Sequence, residues 1–144
     1  MNRKDEFMKV FTRFHNFWYK VLGGRVVGRW GKAPMLLLTT TGRKTGKART
    51  TPLLYLPDGD DLVVVASWGG DDRHPLWYLN LQAEPHVEVQ VGSEKQARVA
   101  RTATKAEKAR IWPELVAVYK QYDDYQKRTE REIPLVMLSR DAAA

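Results

Sequence analysis

The sequence predicts a mainly β domain of the α+β class, with six strands in a small closed or half-closed antiparallel barrel and three flanking helices. Three observations lead to this fold. Short runs rich in Val, Leu and Thr recur along the chain, separated by glycine, proline and aspartate turn signals. The strands do not alternate with helices as they would in a doubly wound parallel sheet. The length of 144 residues suits one domain with a real core.

An amphipathic helix is expected at the N-terminus, over roughly residues 5–22. Its apolar positions recur at helical spacing and are Phe7, Val10, Phe11, Phe14, Phe17, Trp18, Val21 and Leu22. Aromatic side chains opposite basic ones describe either a helix that caps the barrel or one that lies on a membrane surface through residues 7–22. We therefore assign residues 1–24 to this helix and residues 25–144 to the barrel domain.

Six strands and two more helices are expected after it. The strands are Met35–Thr41, Thr50–Leu56, Leu62–Ala66, His86–Val91, Gln96–Thr102 and Ile133–Leu138. A short helix over Leu76–Gln82 ends before Pro85. Thr104 and Glu107 form a capping box that opens the last helix, and Pro113 is expected to kink that helix or tighten a turn.

The basic residues are concentrated in the first third of the chain. The net charge is +7, and no Asp or Glu occurs between Phe7 and Pro57. A long acid-free basic segment indicates an anionic partner, which could be a nucleic acid, an acidic lipid surface or a phosphorylated ligand. A solvated basic face is the alternative explanation.

The sharpest local signal is the segment Thr39–Arg49, which places hydroxyls, two glycines and four cations around one predicted turn. Exposed amides beside Gly42 and Gly46 suit an anion nest, with lysine and arginine supplying charge-assisted bonds. The segment is not a Walker loop, because three residues rather than four separate its glycines and Ala48 stands where that motif needs Ser or Thr.

Two later segments could contact a flat ligand. Gly69 and Gly70 follow a valine-rich strand and would let the backbone approach a ring closely, although they also suit an ordinary turn. Trp77 could cover an aromatic ring or pack in the core, and Asn80 offers both a donor and an acceptor.

Three tyrosines recur at Tyr119, Tyr122 and Tyr125, which would place them on one broad face of the last helix. They could line an amphipathic pocket with their hydroxyls or pack structurally through their rings.

Several classes of function are disfavoured. The chain has no cysteine, and its three histidines show no ligand-like spacing, so we expect no metal site. Neither a nucleophile elbow nor a Ser/His/Asp arrangement is visible. No secretory signal or run of about 18 apolar residues is present. We therefore expect a cytoplasmic protein, peripheral at the inner face of the cell membrane if residues 7–22 bind lipid, whose chemistry comes from a cofactor.

Over roughly residues 33–139 the chain resembles the deazaflavin-dependent nitroreductases of actinobacteria. The segments that carry the resemblance are TTTGRKTGKART-PL, VASWGG, HPLWYLNL, EPHVEVQV, WPELVAVY, YDDYQ and IPLVML. The resemblance implies an FMN-binding-like split β-barrel, usually dimeric. It also implies coenzyme F-420, an 8-hydroxy-5-deazaflavin with a phosphate and a polyglutamate tail, and this polyanion accounts for the acid-free basic segment.

The resemblance also implies roles for individual residues. Those expected to hold the phosphate and tail are Arg43, Lys44, Thr45 and Arg49, with Lys47 close by. Those expected around the deazaflavin ring are Pro52, Ala66, Ser67, Trp68, Gly69, Leu76, Trp77 and Asn80. On the substrate side it implies Tyr119, Tyr122 and Tyr125, and Leu54 and Trp68 make the pocket more apolar than in some members.

These expectations describe a reductase that moves hydride from reduced F-420 to a flat, electron-poor quinone, enone or nitroaromatic. Ser67 or Tyr122 would donate a hydrogen bond to the acceptor. The alternatives are the same barrel with FMN, a deazaflavin-binding protein without turnover, and a nucleic-acid-binding module. The strand faces between residues 33 and 56 hold mostly Leu and Thr, which argues against nucleic acid.

Overall fold

The computed structural model describes residues 29–30 and 33–141. Within them eight strands form one antiparallel sheet, and the strands are β1 (Arg29–Trp30), β2 (Ala33–Thr41), β3 (Ala48–Leu54), β4 (Leu56–Asp58), β5 (Asp61–Val65), β6 (His86–Val91), β7 (Glu94–Thr102) and β8 (Leu135–Arg140). Their order is β1-β2-β6-β7-β8-β5-β4, with β3 paired to β2. The helices are α1 (Leu76–Ala83), α2 (Lys105–Val118) and α3 (Gln121–Lys127). The N-terminal helix expected over residues 5–22 lies outside the described residues.

The mainly β fold is confirmed, and all six expected strands are present. The strand count differs because the expected strand Thr50–Leu56 is divided at Tyr55 into β3, which pairs with β2, and β4, which pairs with β5. The Tyr55 amide donates to the Pro34 carbonyl at 3.2 Å where the chain passes from one ladder to the other. β1 adds a further strand of only two residues.

Two apolar clusters occupy the two faces of the central strands β5 and β8. Val64, Val136 and Leu138 belong to one cluster, which α1 closes with Trp77 and Leu81. The alternate residues of the same strands belong to a second cluster, to which α2 and α3 contribute; it contains Val63, Val65, Ile111, Leu115, Tyr122, Ile133, Leu135 and Met137. Because both faces of β5 and β8 are buried, their sequences are continuous apolar runs.

The capping box at the start of α2 is confirmed. Thr104 Oγ1 accepts from the Glu107 amide at 3.2 Å, and Glu107 Oε1 accepts from the Thr104 amide at 2.9 Å. α2 continues through Pro113 and ends at Val118.

The expectation that the three tyrosines share one helix was wrong. Tyr119 has extended backbone angles (φ −145°, ψ 93°) and follows the end of α2, whereas Tyr122 and Tyr125 lie on the separate helix α3. This break turns the chain so that α3 packs against the loop after β5.

Among the described residues, no helix is long and apolar enough to cross a membrane. No group of three metal-binding side chains comes together within residues 29–30 and 33–141.

Candidate cofactor site

The turn between β2 and β3 is closed by its own backbone. The Gly42 amide donates to the Lys47 carbonyl at 2.8 Å, and the Gly46 amide donates to the Gly42 carbonyl at 2.8 Å. Gly46 has a φ of +74°, which a glycine adopts without steric cost. Thr45 Oγ1 accepts from the Lys47 amide at 3.2 Å. These bonds shape a compact turn, which we call the cationic turn (residues 42–49).

The cations of this turn are exposed, and none of them forms an ion pair within the described residues. In the part of the chain that the structure describes, no carboxylate pairs with Lys44, Lys47 or Arg49. Three other arginines of the described residues do form ion pairs, as in the 2.9 Å contact of Arg110 with Asp58. Unpaired cations that share one short turn are available for an external anion, which they can bind through charge-assisted hydrogen bonds.

Asn80 anchors this turn to the barrel. Its Oδ1 accepts from the Arg43 amide at 3.2 Å and from Arg43 Nη1 at 3.4 Å. Its Nδ2 donates to Thr40 Oγ1 at 3.3 Å. Asn80 is only 5% exposed. Its three bonds use both the oxygen and the NH₂ group of its amide. The structure thus places Asn80 beneath the cationic turn.

The neighbouring residues of α1 differ in burial. Trp77 is buried in the cluster that α1 closes, with Leu36 and Leu38 of β2 among its members. Leu76 is exposed at the surface. Leu76 and Asn80 are nevertheless one turn apart on the same side of α1.

After β5 the chain takes an unusual backbone path. Trp68, Gly69 and Gly70 have φ values of 41°, 63° and 80°, so three consecutive residues are left-handed. This conformation is rare for a residue with a Cβ atom, and a bulky Trp at φ 41° needs support from its surroundings. We call residues 66–71 the left-handed loop.

Some amides of the left-handed loop are bonded within the loop, and others are not. The Gly70 amide donates to the Ser67 carbonyl at 3.0 Å, and the Asp71 amide donates to the Trp68 carbonyl at 3.1 Å. No group in the described residues accepts from the Ser67 or Trp68 amides or bonds to the Ser67 hydroxyl. Ser67 is 8% exposed. Fixed donors of this kind suit the oxygen atoms of a ring or an acceptor.

Arg131, which was not predicted from the sequence, donates hydrogen bonds to three backbone carbonyls of this loop. Its Nε donates to the Asp71 carbonyl at 2.8 Å, its Nη2 to the Ser67 carbonyl at 2.9 Å, and both Nη atoms to the Ala66 carbonyl at 3.2 Å. No local pattern could reveal these bonds, because they join positions 60 to 65 residues apart.

His74 completes the surroundings of that guanidinium. Its Nδ1 lies 3.3 Å from Arg131 Nη1. Burial, and then the charge of Arg131, lower the pKa of His74, so its ring is neutral near pH 7 and Nδ1 can accept from Arg131.

The three tyrosines form one cluster despite the helix break. The ring centroids of Tyr119 and Tyr122 are 4.9 Å apart, and the Tyr119 and Tyr125 hydroxyls are hydrogen-bonded at 3.0 Å. Tyr122 is 6% exposed, and its hydroxyl has no partner among the described residues. Burial raises the pKa of Tyr119 to about 12 and also raises that of Tyr122, so both hydroxyls keep their protons.

The left-handed loop and the tyrosine cluster are in direct contact. A Cβ atom on Gly70 would lie 2.7 Å from the Tyr125 carbonyl oxygen, so glycine is needed for this approach. Leu54 packs against the cluster that contains Tyr122. Pro52 is half-buried on β3 opposite Leu37. The structure thus joins the expected ring-binding loop to the expected substrate side.

An open groove of about 460 Å³ lies beside the other edge of the cationic turn. It is lined by residues of β2, β6 and β7, together with Gly46 and Ala48 of the turn. No residue of the left-handed loop or the tyrosine cluster lines it, so we do not assign the ring to this groove.

These features fit the group that the sequence resemblance implies. Unpaired cations on an exposed turn suit a phosphate and a carboxylate-rich tail. A loop with unused amide and hydroxyl donors beside an aromatic cluster suits a flat heteroaromatic ring and its acceptor.

Comparisons with known proteins identify the family of this chain. A family model described as F420H(2)-dependent quinone reductase matches residues 11–140. The chain is 44% identical over 133 residues to an F420H(2)-dependent quinone reductase of Mycobacterium tuberculosis, with 89% of each chain covered.

Solved structures give the same picture of the fold. The structure of an F420-H2 dependent reductase is 40% identical, with a TM-score of 0.68 and coverage of 74% of this chain and 94% of that one. A domain-swapped dimer is 36% identical, with a TM-score of 0.70 and coverage of 86% and 94%. A Listeria innocua protein, provisionally assigned as a pyridoxamine 5′-phosphate oxidase, shares the fold at 13% identity and a TM-score of 0.54, with 89% and 94% covered. The expected FMN-binding-like split β-barrel is thereby confirmed.

Proposed function

This chain belongs to the F420H(2)-dependent quinone reductase family and is an oxidoreductase, and from that premise we propose how its own residues bind reduced F-420 and a quinone. The family uses reduced F-420 as its hydride donor. The observation that carries the proposal is the cationic turn, whose Lys44, Lys47 and Arg49 have no counter-ion among the described residues.

The cationic turn holds the anionic half of the cofactor. Arg43 and Arg49 grip phosphate or carboxylate oxygens bidentately, whereas Lys44 and Lys47 act as point charges. Thr45 adds a hydroxyl, and Asn80 keeps the turn in place through its bonds to Arg43.

The left-handed loop holds the ring. Ala66, Ser67, Trp68 and Gly69 supply its backbone and side chains, and Ser67 and Trp68 contribute amides without acceptors among the described residues. We extend the ring site to the remaining residues that the resemblance implies, which are Pro52, Leu76, Trp77 and Asn80.

When bound, reduced F-420 supplies a hydride to the electron-poor ring of the quinone. The protein would hold the donor carbon and the quinone at the roughly 3–3.5 Å that reacting atoms need, and a proton from water would complete the hydroquinone. Ser67 or Tyr122 donates a hydrogen bond to the quinone oxygen as negative charge develops there. The raised pKa of Tyr122 keeps its hydroxyl protonated for this purpose. Leu54, Trp68 and the rings of Tyr119 and Tyr125 exclude water from the acceptor.

We further propose that the protein is a homodimer that approaches its quinone at a membrane surface. Support for a dimer comes from the 36% identical structure, which is a domain-swapped dimer. The aromatic and basic residues between positions 7 and 22 would contact anionic lipid.

Fluorescence titration with F-420, FMN and the tail-free 8-hydroxy-5-deazaflavin tests the proposal. We expect F-420 to bind best, in the low micromolar range or tighter, and its affinity to fall with added salt because the turn acts through exposed charges. The tail-free compound should bind more weakly and with little salt dependence. Equal or better binding of FMN would contradict the cofactor assignment, and binding of F-420 without oxidation of its reduced form by a soluble naphthoquinone would contradict the reductase assignment.

A further inference from the structure

The segment that follows α3 is bonded to the left-handed loop through several side chains. Thr129 Oγ1 donates to Asp72 Oδ1 at 2.8 Å, just beyond the loop. The Arg128 guanidinium contacts the Gly69 carbonyl at 3.5 Å and lies over the Tyr125 ring at 5.5 Å. Arg131 makes the largest number of these bonds.

The Arg131 guanidinium connects the two ends of the loop. At the start of the loop it donates to the carbonyls of Ala66 and Ser67, and at the end it donates to the carbonyl of Asp71. A planar group with five N–H donors in a fixed fork can satisfy several carbonyls at once. Trp68, Gly69 and Gly70, the left-handed residues, lie between these ends.

The conformation of the loop requires such support. A left-handed backbone is disfavoured for Trp68, so local preference would move it toward an ordinary conformation. The Ala66 carbonyl shares a peptide plane with the Ser67 amide, and the Ser67 carbonyl shares one with the Trp68 amide, so the bonds from Arg131 fix both planes. The direction in which the loop presents its donors therefore depends on Arg131.

We propose that Arg131 is a positioning residue for hydride transfer, a role that rests on the proposed function of the left-handed loop. It touches neither cofactor nor substrate in this role. It holds the loop so that the Ser67 and Trp68 amides and the Ser67 hydroxyl meet the deazaflavin and its acceptor correctly. Loss of the fork allows the loop to relax, so the ring is still bound but lies out of line with the quinone.

Arg98 provides a matched control for this role. Like the half-buried Arg131, the buried Arg98 donates to backbone carbonyls, at 2.7 Å to Asp60 and 3.0 Å to Leu138. Its bonds lie at the β4–β5 turn, on β8 and at Gln96 of β7. Among the described residues none of them reaches the left-handed loop or the tyrosines. Arg98→Met and Arg131→Met thus remove the same kind of interaction from two places.

The first measurement uses the protein without cofactor. Hydrogen exchange followed by NMR reports the Gly70 and Asp71 amides, whose acceptors are the carbonyls of Ser67 and Trp68. We expect Arg131→Met to lose protection at these two amides while the amides of β5 and β8 stay protected. Unchanged exchange at both amides would contradict the proposal.

The second measurement separates binding from the chemical step. Affinities for F-420 and the tail-free deazaflavin should fall by the same factor in Arg131→Met, because the cationic turn is intact. The single-turnover rate of naphthoquinone reduction at saturating reduced F-420 should fall by about a hundredfold, the size expected for a misplacement of roughly 1 Å. Arg98→Met should lower the melting temperature and leave that rate at the wild-type value.

Arg131→Lys keeps the positive charge. It is the second test variant, to be measured in case Arg131→Met does not fold. Because an ammonium group cannot reach the carbonyls at both ends of the loop, we expect Arg131→Lys to be slow as well. A wild-type rate in Arg131→Lys, or equal rates in Arg131→Met and Arg98→Met, would overturn the proposal. Failure of the wild-type protein to bind F-420 would instead contradict the proposed function.

Discussion

Replacing Tyr122 with phenylalanine should make the protein more stable and at the same time slower. Tyr122 is 6% exposed, and its hydroxyl has no hydrogen-bond partner among the described residues. A buried polar group left unsatisfied costs about 1–3 kcal/mol. Phenylalanine removes that cost and keeps the ring contacts with Trp112 and Tyr119. We expect the free energy of unfolding to rise by about 1 kcal/mol, which corresponds to roughly 2–4 °C in melting temperature.

The same change should slow quinone reduction if the Tyr122 hydroxyl serves the acceptor. Loss of one such donor costs on the order of 3 kcal/mol in transition-state binding, which is about a hundredfold in rate. Affinity for F-420 should remain within about twofold, since a loss confined to turnover marks a contact made in the transition state. Thermal unfolding, F-420 titration and single-turnover kinetics at saturating cofactor measure the three quantities.

Tyr119→Phe is the matched control, because it removes a hydroxyl that is already bonded. Loss of its 3.0 Å hydrogen bond to Tyr125 should lower the free energy of unfolding by about 0.5–1.5 kcal/mol. If Tyr122→Phe were instead destabilising, its hydroxyl would have a partner and the reasoning about burial would be refuted. Normal turnover in the Phe variants of all three tyrosines, single and combined, would remove these hydroxyls from the mechanism.

Two further predictions concern the cationic turn and the start of α2. Arg49→Ala should weaken F-420 binding by roughly 1.5–3 kcal/mol, the value of a hydrogen bond to a charged group, and by more than Lys47→Ala does; parent-like titrations for both variants would place the anion site elsewhere. The side-chain bonds from Arg101, and then the Thr104 amide, lower the pKa of Glu107 from 4.5 to about 2, so its contribution to stability is complete above pH 4.5 and disappears as the pH falls through 2. In acid titrations the stability difference between the wild type and Glu107→Gln should therefore shrink across this window, and a constant difference would show that the carboxylate charge is not its source.

Features that depend on neighbouring residues could be predicted from the sequence. Thr104 and Glu107 are three residues apart, so their capping box needs no information from the rest of the chain. The cationic turn was recognisable for the same reason, since its glycines and cations follow one another directly. The apolar runs of β5 and β8 likewise indicated strands, and the structure shows that both faces of these strands are buried.

Features that depend on distant partners were missed or misplaced. The run from Thr50 to Leu56 looks like one strand, but its two halves pair with different strands, and only the sheet order divides it at Tyr55. The tyrosine spacing suggested one helix face, whereas the backbone breaks at Tyr119. The cluster forms between Tyr119, which follows α2, and the two tyrosines of α3. The bonds of the Asn80 amide to Arg43, a residue 37 positions away, likewise followed from no local pattern.

The sequence by itself determined the β-rich fold, the acid-free cationic turn and the resemblance to deazaflavin-dependent reductases. It could do so because the spacing of apolar residues, the residues that favour turns and the distribution of charge depend only on residues that are close together in the sequence. Only the tertiary structure decided that the left-handed loop rests on α3, that Gly70 must lack a side chain there, and that Arg131 satisfies carbonyls 60 to 65 positions away. Such contacts arise from the packing of strands and helices. The residues near Arg131 in the sequence do not indicate which backbone carbonyls will accept its hydrogen bonds.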